Sequence, residues 1–314
     1  MKVVFMGTPD FAVQCLEALI KAGHEVASVI TQPDRPKGRG NKLAAPPVKE
    51  RALSLGLPVH QPTTVKDEAF LTLLQGYQPE AIVVVAYGRI LPQSVLDLPK
   101  YGCLNVHASL LPKYRGAAPI QWTVLNGDPV AGVTIQQMDA GMDTGDMLSK
   151  ASLTVEADDT TGTLFEKLAH LGAELLVDTL EKVEKGQITR EKQDEAAATY
   201  APMLGKADET LDWQRPASKL HDQVRGLSPA PGAYTWWQGQ RLKIWRTKPR
   251  DAQAGSLEPG QIAEISQDFF AVCTGEGWLE VYEVQPAGKK AMPVKAFLNG
   301  AGLSIGSKLG VHDE

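Results

Sequence analysis

The sequence predicts an α/β protein in two parts: a wound, mostly parallel sheet, then a small β-barrel. Three observations carry this. The amino-terminal half alternates short apolar runs with helical spacings, the rhythm of βαβ units. One of its runs, Ala81 to Ala86 (AIVVVA), is apolar on both faces, as a central parallel strand must be. Beyond about residue 208 the pattern changes to five short runs separated by Gly, Asp or Pro, which is how a small antiparallel barrel reads.

In chain order, residues 2–6 (KVVFM) are apolar enough for a buried strand. Gly7-Thr8-Pro9-Asp10 then opens a helix, with Thr8 suited to the N-cap, Pro9 to the first helical position and Asp10 to the first turn. That helix runs to Ala22 and stops at Gly23. Residues 25–30 (EVASVI) form the next strand, and residues 32–45 a Pro/Gly/basic loop. A helix over 46–55, a short strand over 57–60 and a helix over 67–74 follow. After the AIVVVA strand come a strand over 101–107, a helix over 119–125 and a strand over 132–137. Thr163-x-x-Glu166 reads as a capping box. From it Leu164, Leu168, Leu171, Leu175, Leu176 and Leu180 keep helical spacing toward Gly186. Residues 190–207 are polar and irregular and read as a linker. This divides the chain into 1–189, the linker, and 208–314, where a helix over 217–224 precedes strands over 232–237, 242–247, 261–265, 269–273 and 279–284.

Length and composition agree. The 314 residues suit two domains, and 43% hydrophobic with 22% charged residues is the balance of a globular protein. No run approaches the ~18 apolar residues of a membrane span, and the amino terminus is too weakly apolar for a signal peptide, so the cytoplasm is the expected compartment. Cys15, Cys103 and Cys273 are far apart and form no CxxC, which suggests neither a disulfide framework nor a metal site. The net charge of −5 is unevenly spread. Residues 1–205 hold 19 Lys+Arg against 24 Asp+Glu, yet residues 32–51 hold six against two.

The chemistry concentrates at the end of one strand. Asn105 and His107 are two residues apart, so a strand projects them to the same face. The chain turns just beyond them, where open α/β sheets bind ligands. Asp143 follows in a glycine-rich loop, Asp139-Ala-Gly141-Met-Asp143-Thr-Gly145. An amide, an imidazole and a carboxylate suit reaction at a carbonyl carbon: the amide stabilises the developing oxyanion, the imidazole moves a proton and the carboxylate orients the imidazole. Taken singly, a strand histidine is more often structural and a loop aspartate as often a turn cap. A dinucleotide site is disfavoured, since Gly7-Thr-Pro-Asp-Phe has one glycine where GxGxxG needs three.

The loop carrying Arg35, Lys37, Arg39 and Lys42 reads two ways, as a solvated surface loop or as a clamp on phosphate. The carboxy-terminal part adds Arg241, Lys243, Arg246, Lys248 and Arg250 and holds five of six tryptophans. Core packing explains most of those rings, but a barrel with a basic strand also suits nucleic acid.

The stretches from Asn105-Val-His107-x-Ser109-Leu-Leu-Pro112 through Lys113-Tyr-Arg115-Gly-Ala-Ala-Pro-Ile-Gln121, and Met138-Asp-Ala-Gly-Met-Asp143-Thr-Gly-Asp-Met147, resemble the formyltransferases that use 10-formyltetrahydrofolate. Gly7-Thr-Pro-Asp-Phe11, the basic loop and Gln285-Pro-Ala-Gly-Lys-Lys-Ala-Met292 extend the resemblance over nearly the whole chain and point to the branch acting on tRNA. The resemblance implies formyl transfer to the α-amine of methionine on initiator tRNA, with no metal and no obligate protein partner. It implies a Rossmann-like formyltransferase domain followed by a small OB-like carboxy-terminal domain, and Asn105, His107 and Asp143 as the catalytic trio. Ser109, Leu110, Leu111, Pro112, Arg89, Leu91 and Asp139 fall in the folate site it implies, and Arg39, with Arg35, Lys37 and Lys42, in the loop laid against tRNA.

Overall fold

The computed structural model describes residues 1–37, 42–253 and 255–310. It divides into two compact units. The first comprises Met1–Pro119, Val130–Thr154 and Phe165–Ala201; the second comprises Ile120–Pro129, Val155–Leu164 and Pro202–Glu314.

The first unit is built on strand β1 (Lys2–Gly7), helix α1 (Asp10–Lys21), β2 (Glu25–Ile30), the hairpin β3 (Arg35–Lys37) and β4 (Lys42–Ala44), α2 (Pro47–Ser54), β5 (Val59–His60), α3 (Glu68–Tyr77), β6 (Ala81–Val85), α4 (Gln93–Leu96) and β7 (Cys103–His107). Strands β8 (Val130–Gln137) and β9 (Met147–Thr154) and most of α6 (Thr161–Glu184) follow, while α5 (Pro119–Asn126), between β7 and β8 in the chain, falls in the second unit but for Pro119. The main sheet has the order β5-β2-β1-β6-β7-β8-β9. Strands β5 to β7 are mutually parallel, whereas β8 and β9 each run antiparallel to their neighbour. Chain order reverses about β1, with β2 on one side and β6 on the other, so the ligand crevice of an open sheet falls at the carboxyl ends of β1 and β6.

All five residues of β6 are buried. Val4, Met6, Ile82, Val84 and Cys103 share one core with Phe70, Leu74, Tyr87 and Leu91. Each fully buried aliphatic side chain of this kind contributes about 1.5–3 kcal/mol, which fixes the height at which β7 ends. All three cysteines are free and buried, and burial pushes the Cys15 and Cys103 thiols up to about 12, leaving them inert.

Four local expectations change. Thr8 does not cap α1; the N-cap position is Pro9, without a side-chain bond, and the Thr8 hydroxyl lies 3.5 Å from Tyr87 O. The 32–45 loop contains the β3–β4 hairpin, in register Arg35↔Ala44 and Lys37↔Lys42. The reciprocal cap of α6 lies one turn earlier than the Thr163/Glu166 pair, as Thr160 and Thr163 each accept the other's backbone N–H. Strand β9 has no counterpart in the sequence reading, because its alternation of half-buried Ser149, Ala151 and Leu153 with exposed Lys150, Ser152 and Thr154 carries little apolar signal.

In the second unit, α7 (Ala217–Gly226) precedes β10 (Ala233–Trp237), β11 (Gln240–Arg250), β12 (Ile262–Ile265), β13 (Phe270–Cys273), β14 (Trp278–Pro286), β15 (Met292–Pro293) and α8 (Val294–Leu298). The sheet order is β10-β11-β14-β13-β12, all antiparallel, with β15 added to β14. Leu242, Ile244, Phe270, Val272, Leu279 and Val281 fill its core with Leu220 and Val224 of α7. Arg241 leaves the opposite face and stacks 4.6 Å from the Tyr234 ring and 5.5 Å from Trp236. Arg250 is instead committed to Glu264 and Glu280.

Candidate active site

Strand β7 lies between parallel β6 and antiparallel β8, pairing Asn105 with Val84 and Gln136, and His107 with Thr134. Asn105 and His107 therefore share a face at a strand end held on both sides. His107 is only 6% exposed. Its Nε2 lies 2.9 Å from Tyr114 O. A carbonyl can only accept, so Nε2 carries a hydrogen and Nδ1 is the ring position left for chemistry. Nδ1 faces Asp143 Oδ1 at 3.5 Å.

Asp143 is the hub. Its Oδ2 accepts Gly116 N–H at 2.9 Å, and its Oδ1 accepts the Gln136 amide at 2.8 Å and the Asn105 amide at 3.4 Å. The residue holds φ +57°, a left-handed backbone that costs a non-glycine residue about 1–3 kcal/mol. Neighbouring Gly145 is required by space: a Cβ there would lie 1.8 Å from Gln137 O. Asp139 braces the same loop by accepting from Gly141 N and Thr144 Oγ1.

The turn after β7 is equally bound. The Thr134 hydroxyl donates to Ser109 O and accepts from Leu111 N, and the Ser109 hydroxyl donates to Lys113 O. Leu111 and Leu91 are core residues, while Leu110 and Pro112 are half-buried. Arg89 donates to Thr63 O and, at 3.4 Å, to Gln32 Oε1. The Gln32 amide holds Tyr87 O, which ties β2 to the exit of β6. Ile90 and Met142 leave apolar side chains 68% and 55% exposed.

The structure thus brings Asn105, His107 and Asp143 together. Arg35 and Lys42 stand exposed on the hairpin, Lys37 is in β3, and Arg39 lies outside the described residues. Gln136, Thr134 and Gly116 were not singled out from the sequence. Gln136 and Thr134 matter because β8 pairs antiparallel with β7, and that pairing has no signature in the sequence.

The first 180 residues match the family model described as formyl transferase, and residues 203–302 match that of the formyl transferase C-terminal domain. The chain belongs to the formyl transferase family. It is 51% identical over 301 residues to the methionyl-tRNA formyltransferase of Desulfotalea psychrophila, covering 96% of this chain and 93% of that one. It is 50% identical over 314 residues to that of Bacillus licheniformis, covering 100% and 99%. Among solved structures, the N-formyltransferase from Helicobacter canadensis, in complex with folinic acid and dTDP-3-aminofucose, superposes with a TM-score of 0.66 over 91% of this chain and 99% of its own. At 16% identity that likeness speaks for the fold alone. Among the described residues of this formyl transferase, no helix is long and apolar enough to cross a membrane, and no three His, Cys, Asp or Glu side chains cluster as metal ligands.

Proposed function

We propose that the protein transfers the formyl group of 10-formyltetrahydrofolate to the free α-amino group of methionyl initiator tRNA and so supports translation initiation. The observation that carries this is identity of about half, over full length, to chains named for that activity. The polar trio fits the same chemistry.

Bound 10-formyltetrahydrofolate supplies an electrophilic formyl carbon. The α-amine attacks it, and charge develops on the formyl oxygen. Asn105 offers an amide hydrogen to that oxygen. His107 works through Nδ1, which takes the proton leaving the amine and becomes an imidazolium facing Asp143. The Asp143 carboxylate, fixed by Gly116 and Gln136, compensates that charge, and the Nδ1 proton then serves the departing nitrogen. No step calls for a metal.

The segments that would hold the folate have suitable surfaces. Exposed Ile90 and Met142 offer apolar contact, and Leu110, Pro112 and Arg89 offer side chains. Ser109, Leu91 and Leu111 act by setting the backbone, since their side chains are spent internally, and Asp139 braces its loop through Oδ1. Arg35, Lys37, Arg39 and Lys42 are the expected phosphate contacts of the acceptor. The stacked Arg241 on the second unit is a further surface for nucleic acid. The enzyme works in the cytoplasm, beside its tRNA, without an obligate protein partner.

The test is transfer of label from 10-formyltetrahydrofolate by the purified chain. Methionyl initiator tRNA is the acceptor, with uncharged tRNA and free methionine as controls. Label on the charged tRNA alone supports the proposal. Folate turnover with no label on tRNA removes tRNA as the acceptor and leaves small amines.

A further inference from the structure

Residues 191–201 have the composition of a linker, yet they are bonded into the first unit. Glu191 exchanges two backbone hydrogen bonds with Met147. Thr199 O accepts Arg115 N, the Thr199 hydroxyl accepts Tyr114 N, and Ala201 N donates to Arg115 O. Ala201 O accepts from both Ala117 and Ala118. The strap therefore grips the Tyr114–Ala118 segment, which supplies both the carbonyl that orients His107 and the Gly116 amide that holds Asp143.

One side chain of the strap reaches the trio's own loop. The Gln193 amide nitrogen donates to Asp143 O at 2.7 Å and to Gly145 O at 2.8 Å. Its oxygen accepts Arg115 Nε at 2.9 Å. Both amide hydrogens and the oxygen are thus committed, and a flipped amide would face two carbonyl oxygens with its own oxygen, so only one orientation is compatible. Arg115 is itself held. It is 1% exposed and forms a bidentate pair with Glu195 at 2.7 and 2.9 Å. The carbonyl that Gln193 holds belongs to the residue with the left-handed backbone.

We propose that Gln193 is a positioning residue for the transfer, holding Asp143 in its left-handed conformation through the Arg115–Glu195 anchor. This rests on the reading of Asp143 given above. Gln193 touches no reacting atom; it acts through the peptide that carries the carboxylate. A misplacement of the order of 1 Å costs about 100-fold in rate.

The experiment measures kcat and KM for both substrates in Gln193→Leu and Gln193→Glu, with Asp143→Asn and the double variant Gln193→Leu/Asp143→Asn alongside, and a melting curve for each. Gln193→Glu keeps an acceptor for Arg115 but loses both donors to the loop, so it carries the test if the leucine variant does not fold. The expected result is kcat lower by about 10- to 100-fold in both Gln193 variants, with both KM values within about twofold. The double variant should be no slower than Asp143→Asn, since two changes acting through one group do not add. Wild-type kcat in Gln193→Glu overturns the proposal, as does a double variant whose losses multiply. Full activity in Asp143→Asn instead overturns the reading of Asp143, whatever Gln193 does.

Discussion

At the scale of single residues, Asn105 and Gln136 both donate to the same Asp143 oxygen, but they do different work. Asn105 is the one amide of the pair assigned to the formyl oxygen. Loss of one such donor costs about 3 kcal/mol of barrier, so Asn105→Ala should lower kcat roughly 100-fold while the melting temperature holds. An unchanged kcat removes Asn105 from the mechanism. Gln136 is 2% exposed, and its Oε1 has no hydrogen-bond partner among the described residues. Leucine in its place deletes the donor to Asp143 but also relieves a buried, unpaired acceptor, which by itself costs about 1–3 kcal/mol. Gln136→Leu should therefore lower kcat about tenfold with little loss of melting temperature. A fall in stability with kcat intact would make Gln136 a packing residue only. The sequence exposes Asn105 and His107 because a two-residue spacing in a strand is a local signal. It hides Gln136 and Gln193, which reach the site through an antiparallel pairing and a return of the chain 50 residues after Asp143.

At the scale of elements, most strands and helices are legible because apolar periodicity and glycine stops are written locally. Strand β9 is not, since it lies at the sheet edge with a largely polar outer face. Nor is the β3–β4 hairpin, whose Arg35-Pro-Lys37 and Lys42-Leu-Ala44 arms carry neither alternation nor an Asn-Gly turn. The hairpin concentrates charge where the surrounding unit is acidic. Lys49 is already paired with Asp34, at 2.8 Å, whereas Arg35 and Lys42 stand exposed on the arms; Arg39, proposed above as a phosphate contact, carries the test. Arg39→Ala should raise KM for methionyl-tRNA severalfold, flatten its dependence on salt by about one counterion, and leave KM for the formyl donor unchanged. The reverse pattern, weaker folate use with tRNA affinity intact, assigns the hairpin to the folate instead.

At the scale of the whole molecule, the division into a wound sheet and an antiparallel sheet is legible in the change of pattern near residue 208. The path of the chain is not, because residues 120–129 and 155–164, read as part of the first domain, belong to the second unit. Ala157 and Asp158 of segment 155–164 act on a titratable group there. Burial first, and then the Arg225 guanidinium, holds His221 below the ordinary imidazole range; the Ala157 backbone, Asp222 and Asp158 oppose this only in part. Its Nδ1 also lies 2.9 Å from the Thr247 hydroxyl. A histidine with a depressed folded-state value binds its proton more readily when unfolded. Above about pH 6.5 the ring is neutral in both states and stability is unaffected. As pH falls below that value the unfolded state takes up the proton first, and stability is lost until the folded-state value is passed. His24 in the first unit is lowered as well, by burial and by the amino terminus, against Glu184 and the Met1 backbone. The carboxylates held low, Asp34, Glu195 and Glu258, act only at more acid pH. Melting curves between pH 7.5 and 5.5 should therefore fall in temperature, and His221→Gln should fall less, because glutamine keeps a polar contact for Thr247 without a proton to gain. An identical fall in the variant would place the acid sensitivity in His24 and the first unit rather than in His221.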